Sequence, residues 1–110
     1  MKLYLSGPIS GKADGNRTAF GAAARALHEC GHQPINPYIV GDLLQAEFGG
    51  IPPAWEDYMR ADIAELMTCD AVATLHGWAE SRGACIEVHL AQALGMLVQS
   101  VDAWIEGAAT

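Results

Sequence analysis

Residues 77–94 read GWAESRGACIEVHLAQAL, a segment that leads from a glycine-bearing turn into an amphipathic helix. The residues before it, Asp70–Leu75 (DAVATL), are nearly all apolar, which is typical of a strand buried on both faces. Apolar side chains then recur at helical spacing over Ala84–Leu94, and Gly95 stands where helices commonly end. A buried strand followed by a helix indicates one βα unit of a parallel sheet.

The rest of the chain repeats this alternation of strand and helix. The pattern predicts strands over Lys2–Ser6, Gln33–Asn36 and Met96–Val101, helices over Thr18–Cys30 and Ala54–Met67, and a flexible connector over residues 39–54. Because parallel strands need crossover connections, we expect a three-layer α/β/α fold of the flavodoxin- or Rossmann-like kind. Its sheet is small and mainly parallel, with about four strands, and ligands bind beyond their carboxyl ends.

Composition excludes several classes of protein. The 110 residues are 51% hydrophobic and 17% charged, which excludes a disordered chain and suits a single domain over residues 1–110. A net charge of −7 argues against binding of a nucleic acid polymer, whereas a small anion in a local pocket stays compatible with it. No apolar run approaches the ~18 residues that cross a bilayer, so no membrane partner is expected.

The number and spacing of cysteines and histidines indicate the cellular compartment and whether a metal is bound. Cys30, Cys69 and Cys85 are odd in number and far apart, which favours free thiols; with no readable signal peptide, we expect a cytoplasmic protein. Neither the cysteines nor the four histidines have the spacing of metal ligands, so we expect no metal and no other cofactor. Exposed sheet edges favour a homo-oligomer, a dimer or higher.

Two polar loops follow neighbouring strands and are candidates for binding an anion. The first supplies backbone N–H groups and polar side chains from Ser6, Gly7, Ile9, Ser10, Gly11 and Lys12. The second supplies Ser81, Arg82 and Gly83 at the start of a helix, where the helix dipole attracts anions. The alternative is an ordinary strand-to-helix turn, with Ser81 acting only as a helix N-cap.

Two carboxylates fall on helix faces that should point inward. Glu87 shares a stripe with Ala84, Val88, Ala91, Leu94 and Gly95, and Asp62 lies within the stripe of Trp55, Tyr58, Met59 and Leu66. Burial of a carboxylate is costly unless it is paired or used in chemistry, so both are candidate catalytic acids. Tyr4 could hydrogen-bond one of them. A structural glutamate bonded to a core tyrosine is the alternative.

These residues resemble a known family. The segments YLSGPISG (residues 4–11) and SRGACIE (residues 81–87) are similar to those of nucleoside 2-deoxyribosyltransferases and of the related 2′-deoxynucleoside 5′-monophosphate N-glycosidases. The likeness extends, in order and spacing, over nearly the whole chain. It is closer to a phage and bacterial branch of domains that share the YLSGP start, an Asn-Pro after the second strand and the GWxxSRGAxxE stretch.

The resemblance implies a role for each matching residue. Glu87 matches the family's nucleophile, Tyr4 the tyrosine that positions it, and Asp62 an acid near the sugar and base. The residues that match the 5′-phosphate contacts are Ile9, Ser10, Gly11, Ser81 and Gly83. Asn36 and Trp78 are expected at the wall of the same pocket.

The sequence therefore predicts an enzyme with a small-molecule nucleoside or nucleotide as its substrate. The expected reaction is N-glycosidic bond cleavage or 2-deoxyribosyl transfer, with Glu87 forming a glycosyl-enzyme. Two other hypotheses stay open: a non-catalytic nucleotide-binding or sensor module of the same fold, and a purely structural protein.

Overall fold

The computed structural model describes residues 1–9 and 14–109 of the chain. In chain order the elements are β1 (Lys2–Ser6), α1 (Arg17–Glu29), β2 (Gln33–Ile35), α2 (Pro37–Glu47), α3 (Trp55–Leu66), β3 (Ala71–Thr74), a 3₁₀ turn (Trp78–Glu80), α4 (Arg82–Ala93), β4 (Leu97–Ser100) and α5 (Val101–Ala109). The predicted strands and helices are present, with bounds that differ by at most two residues.

The four strands form one sheet in the order β2-β1-β3-β4, and every neighbouring pair is parallel. The prediction of a small parallel sheet in an α/β domain is confirmed. Because the chain moves from β1 to β2 and then returns to the other side of β1 at β3, the strand order reverses between β1 and β3. Open α/β sheets bind their ligands at the carboxyl edge of such a switch point.

Alternate residues of β1 face the two helical layers. Leu3 and Leu5 pack with Phe20 and Leu27 of α1 and with Trp104 of α5. On the other face, Tyr4 packs with Leu66 of α3, Val72 of β3 and Ala91 of α4. The period-two alternation of β1 thus places the Tyr4 hydroxyl, and the Ser6 side chain after it, beneath α3 and α4.

Helix α2 corrects the prediction of a flexible connector. The Asn36 side chain accepts a hydrogen bond from the Tyr38 backbone N–H at 3.0 Å, and Pro37 occupies the first turn, so an N-cap and a proline start this helix together. Only residues 48–54 of the predicted connector lie outside a helix. The Gly49-Gly50 and Pro52-Pro53 pairs that suggested a connector belong to this shorter link.

Helix α5 is a second element that the pattern did not predict. Its Trp104 is buried against the α1 layer and donates an indole N–H to the Val72 carbonyl at 3.0 Å. The predicted stripe of α4 is corrected at its end, because Leu94 lies beyond the last helical residue and is exposed. None of the helices in the described part of the chain is long and apolar enough to cross a membrane.

Candidate active site

A cavity of about 850 Å³ opens at the carboxyl edge of the sheet, on the α3 and α4 side of the switch point. Its volume is within the range of small-molecule sites. Several elements contribute its lining: the loop after β1, the wall of α2, one face of α3, and the turn that starts α4. The polar lining residues are Arg17, Tyr38, Asp42, Gln45, Tyr58, Asp62, Glu80, Ser81, Arg82 and Glu87.

Glu87 lies at the bottom of this cavity and only 5% of it is exposed. The Tyr4 hydroxyl donates to Oε2 of Glu87 at 2.7 Å, and the Ser6 hydroxyl donates to Oε1 at 2.7 Å. Each carboxylate oxygen therefore has its own donor from β1, and both donors are fully buried. This pair of hydrogen bonds fixes the orientation of the Glu87 carboxylate and favours its charged form.

Asp62 is the second acid of the cavity. It is buried in the middle of α3, on the helix face that also carries Trp55 and Met59 toward the opening. Burial, and then the nearby Glu87 carboxylate, raise the pKa of Asp62 to about 7. Among the described residues, no side chain or backbone group donates a hydrogen bond to the Asp62 carboxyl. Protonation therefore removes the charge of this carboxyl and lowers the free-energy cost of burying it.

The environments of the two acids separate their roles. Burial raises the pKa of Glu87, but hydrogen bonds from Ser6 and then Tyr4 oppose that rise. Burial, and then the charge of Glu87, raise the pKa of Tyr4 well above its ordinary value, so Tyr4 stays a hydroxyl donor. The two hydroxyl donors thus favour the charged form of Glu87, whereas Asp62, with a pKa of about 7, is partly protonated at neutral pH.

Two glycines let the backbone segments around the acids approach closely. A β-carbon on Gly83 would lie 3.2 Å from the Met59 sulfur, so the start of α4 packs directly on α3. A β-carbon on Gly7 would lie 2.7 Å from that of Leu75, closer than side chains can approach. The loop after β1 thus packs against Leu75, the residue after β3, without a side chain at position 7.

The start of α4 forms one rim of the cavity. The Ser81 hydroxyl accepts from the Ala84 backbone N–H at 3.3 Å, which makes Ser81 the N-cap that the sequence offered as an alternative. The Arg82 guanidinium lies over the Trp55 ring, 4.3 Å from its centroid. Trp55 is 39% exposed and lines the cavity, rather than filling the core.

Helix α2 forms the opposite wall. Arg17 pairs with Asp42 at 3.0 Å, and its guanidinium lies over the Tyr38 ring, 4.5 Å from the centroid. The Tyr38 hydroxyl also donates to the Gly15 carbonyl, which ties the segment before α1 to α2. Below, we call Tyr4, Ser6, Asp62 and Glu87 the floor of the cavity, and Arg17, Tyr38, Asp42, Trp55 and Arg82 its mouth.

The structure brings most of the predicted site residues together. The cavity lining includes Gly7, Ile9, Asp62, Ser81, Arg82, Gly83 and Glu87, and Tyr4 and Ser6 lie directly behind Glu87. Ser10, Gly11 and Lys12 fall outside the described residues. Asn36 is not at the cavity wall, because its side chain caps α2. Trp78 is also elsewhere: it lines a separate cavity of about 510 Å³ beside α1 and α5.

The sequence analysis does not identify the residues of α2 that line the cavity, and of the mouth it identifies Arg82 alone as a site residue. Asp42 and Gln45 lie in the predicted connector, residues 39–54, and Tyr38 lies between that connector and the predicted strand, so the sequence pattern assigns none of them to a helix face. The signal that was present is Asn36-Pro37, an N-cap followed by a first-turn proline, with Tyr38 next in the chain. The sequence pattern predicts Trp55 only as part of the inward stripe of its helix, and the spacing gives no signal for its contact with Arg82.

No three His, Cys, Asp or Glu side chains within residues 1–9 and 14–109 are grouped so that they could hold a metal ion. The lining of the site includes carboxyl, hydroxyl and guanidinium groups and aromatic rings.

Comparison with known proteins places the chain in a family. No curated protein matches it. The family model that matches is described as "Domain of unknown function (DUF4406)", and it covers residues 1–100, which include every described residue of the floor and the mouth. The chain is therefore a member of the DUF4406 family.

Proposed function

We propose that this protein cleaves the N-glycosidic bond of a nucleoside or a nucleoside 5′-monophosphate, with Glu87 as the nucleophile. The observation that carries the proposal is the floor: a buried carboxylate with a hydroxyl donor on each oxygen, beside a second buried acid whose pKa is raised to about 7. The similarity of YLSGPISG and SRGACIE to the nucleoside 2-deoxyribosyltransferases supports the same chemistry.

In the first step, one Glu87 oxygen attacks the anomeric carbon of the sugar. The bond from that carbon to the base nitrogen breaks, its electron pair goes to the base, and Asp62 gives that base its proton. The transition state resembles an oxocarbenium ion, so the Glu87 charge beside it lowers the barrier. The products of this step are a free base and a glycosyl ester of Glu87.

In the second step, the ester is broken by an acceptor. When the acceptor is water, the Asp62 carboxylate takes one of its protons while the oxygen attacks the anomeric carbon, and Glu87 leaves as a carboxylate. When a second base is the acceptor, the same step transfers the 2-deoxyribosyl group. Both outcomes return Asp62 and Glu87 to their starting protonation states.

Tyr4 and Ser6 act through Glu87 in this scheme. Their hydrogen bonds hold the carboxylate in one orientation before attack and stabilise it again when it leaves. Both residues are fully buried behind Glu87, so they are positioning residues.

The proposal is tested by following free base chromatographically with the four common 2′-deoxynucleosides and their 5′-monophosphates. Glu87→Gln should lower base release by at least about a thousandfold, because it removes the attacking carboxylate. Glu56→Gln is the matched control: Glu56 is an exposed residue of α3 outside the cavity lining, and its substitution should leave the rate unchanged.

Base release by Glu87→Gln at the wild-type rate would contradict the assignment of the nucleophile. A wild-type protein that is stabilised by these ligands but releases no base would instead be a nucleotide-binding module. Thermal shift measured on the same samples separates these two results.

A further inference from the structure

The mouth of the cavity contains a cation that is placed on an aromatic ring. The Arg82 guanidinium carbon lies 4.3 Å from the centroid of Trp55, and both side chains line the cavity that holds Glu87. Within residues 1–9 and 14–109 the one ion pair is Arg17–Asp42, so Arg82 has no acidic partner there. The stack on Trp55 is thus the contact that fixes the position of this guanidinium in the free protein.

A ligand phosphate competes well for such a guanidinium. At an exposed site a cation–π contact is weak, whereas a guanidinium and a phosphate form paired, charge-assisted hydrogen bonds. The Arg82 side chain is exposed and already lines the cavity, so it can leave the indole for a ligand phosphate in that cavity. An anion bound at this rim would therefore uncover the Trp55 ring.

The uncovered ring lies where the proposed reaction needs a surface for the base. Trp55, Met59 and Asp62 are four and three residues apart along α3, so they follow one face of the helix from the mouth to the floor. In the proposed reaction Asp62 protonates the departing base, which places the base along this face. An indole at its outer end is a stacking surface for that base.

From these contacts we infer that a ligand phosphate replaces Trp55 as the partner of Arg82. This replacement, which we call the exchange, selects a 5′-monophosphate over the unphosphorylated nucleoside. The phosphate draws Arg82 off the indole, and the base then stacks on the face that Arg82 has left. A nucleoside without a phosphate meets a covered ring, because nothing displaces Arg82. This inference rests on the proposed function for the position of the base, and it adds the substrate class and the residues that select it.

Binding is measured by isothermal titration calorimetry in the Glu87→Gln background, where ligand is not consumed. The probes are the four common 2′-deoxynucleosides and their 5′-monophosphates. We expect the monophosphates to bind at least about tenfold more tightly than the matching nucleosides.

The distinguishing variant is Arg82→Ala. It should weaken binding of the monophosphates by at least about tenfold and should tighten binding of the nucleosides by about twofold to fivefold, because the indole is now free. Adding Trp55→Leu should abolish that gain. Arg60→Ala is the matched control, since Arg60 is an exposed cation of α3 outside the cavity lining and its loss should change neither affinity.

Nucleoside affinity that is unchanged or weakened in Arg82→Ala overturns the exchange, whatever happens to the monophosphates. If the wild-type protein releases base while this result is obtained, the exchange is wrong and the proposed function stands. If the expected affinities are found but no base is released, the exchange stands and the proposed reaction is wrong. If no probe binds, both are wrong.

Discussion

The floor and the mouth of the cavity are built in opposite ways. At the floor, β1 supplies two fully buried hydroxyl groups, and each donates a hydrogen bond to one oxygen of Glu87. At the mouth, the Arg17–Asp42 pair is about half exposed and Arg82 rests on an exposed indole. One region is fixed by core packing, and the other by contacts that water and ligands can replace.

This difference separates two kinds of task. Bond-making chemistry needs groups that are held in place before the substrate arrives, and burial provides that. Selection of a substrate needs groups whose partners can change, and exposed stacks and ion pairs provide that. The following substitutions test whether changes at the buried floor affect the rate of base release and the stability more than changes at the exposed mouth do.

The largest effect is expected from Asp62→Asn. It removes the proton donor for the departing base and should lower the rate of base release by on the order of a thousandfold. Because the acid form of Asp62 is lost as pH rises through about 7, the wild-type rate should fall there, whereas the residual rate of the variant should show no such fall. Rates between pH 5 and 9 measure both, and an unchanged alkaline limb would contradict the role of Asp62.

A smaller loss is expected from Tyr4→Phe or Ser6→Ala. Each leaves one Glu87 oxygen without its donor, so base release should fall by about tenfold to a hundredfold. The matched control at the wall is Tyr58→Phe, which removes a hydroxyl that accepts a hydrogen bond from Gln45 and should keep the rate within about threefold. Equal losses for Tyr4→Phe and Tyr58→Phe would mean that the loss does not come from the hydrogen bonds to Glu87.

Substitution of Asp62 by Asn should lower activity but raise stability, because the folded protein pays for the charge of Asp62. Its pKa is about 7 in the folded protein and 3.8 is its ordinary value, so between these values the folded state binds more protons than the unfolded state. The free energy of unfolding therefore falls as pH rises from about 4 to about 7, and the full penalty remains above 7.

Asp62→Asn carries no such charge, so it should raise the free energy of unfolding at pH 8 by about 2 kcal/mol, with solvent screening in the cavity taken into account. At pH 4 the gain should vanish. Urea denaturation at the two pH values measures this, and a gain that is equal at both would show that charge is not its cause.

The smallest effect is expected at the mouth. Asp42→Asn separates Arg17 from its partner, but both side chains are about half exposed, so the melting temperature should move by less than about 2 °C. Base release should stay within about threefold of wild type. A loss as large as that of Tyr4→Phe would mean that the mouth also holds the floor in place.

The sequence predicts the buried floor better than the exposed mouth. The strands and the inward face of α4 are set by apolar spacing, and that spacing predicts that Tyr4 can reach one of the two inward carboxylates. That its partner is Glu87 is implied only by the family resemblance, and the structure shows that hydrogen bond. The spacing could not place Arg82 on Trp55, because a contact between two exposed side chains from different helices leaves no periodic signal.

Asn36 shows why a residue type can mislead. An Asn-Pro after a strand suits a pocket wall and a helix N-cap equally well, and only the hydrogen bond to the Tyr38 N–H identifies the cap. If the cap is not recognised, the pattern predicts a connector instead of α2. Asp42 and Gln45, which lie on α2 and line the cavity, are then not identified as site residues.

The contact at Gly7 limits how this site can evolve. Because a β-carbon there would lie 2.7 Å from the β-carbon of Leu75, every other amino acid would have to push the two crossover loops apart. In a saturation library screened for a folded protein, position 7 should yield glycine alone, whereas Gly21, which has open space around it, should accept many replacements. Position 7 therefore offers no route to a new substrate preference, and such changes would have to fall on other residues of the cavity lining.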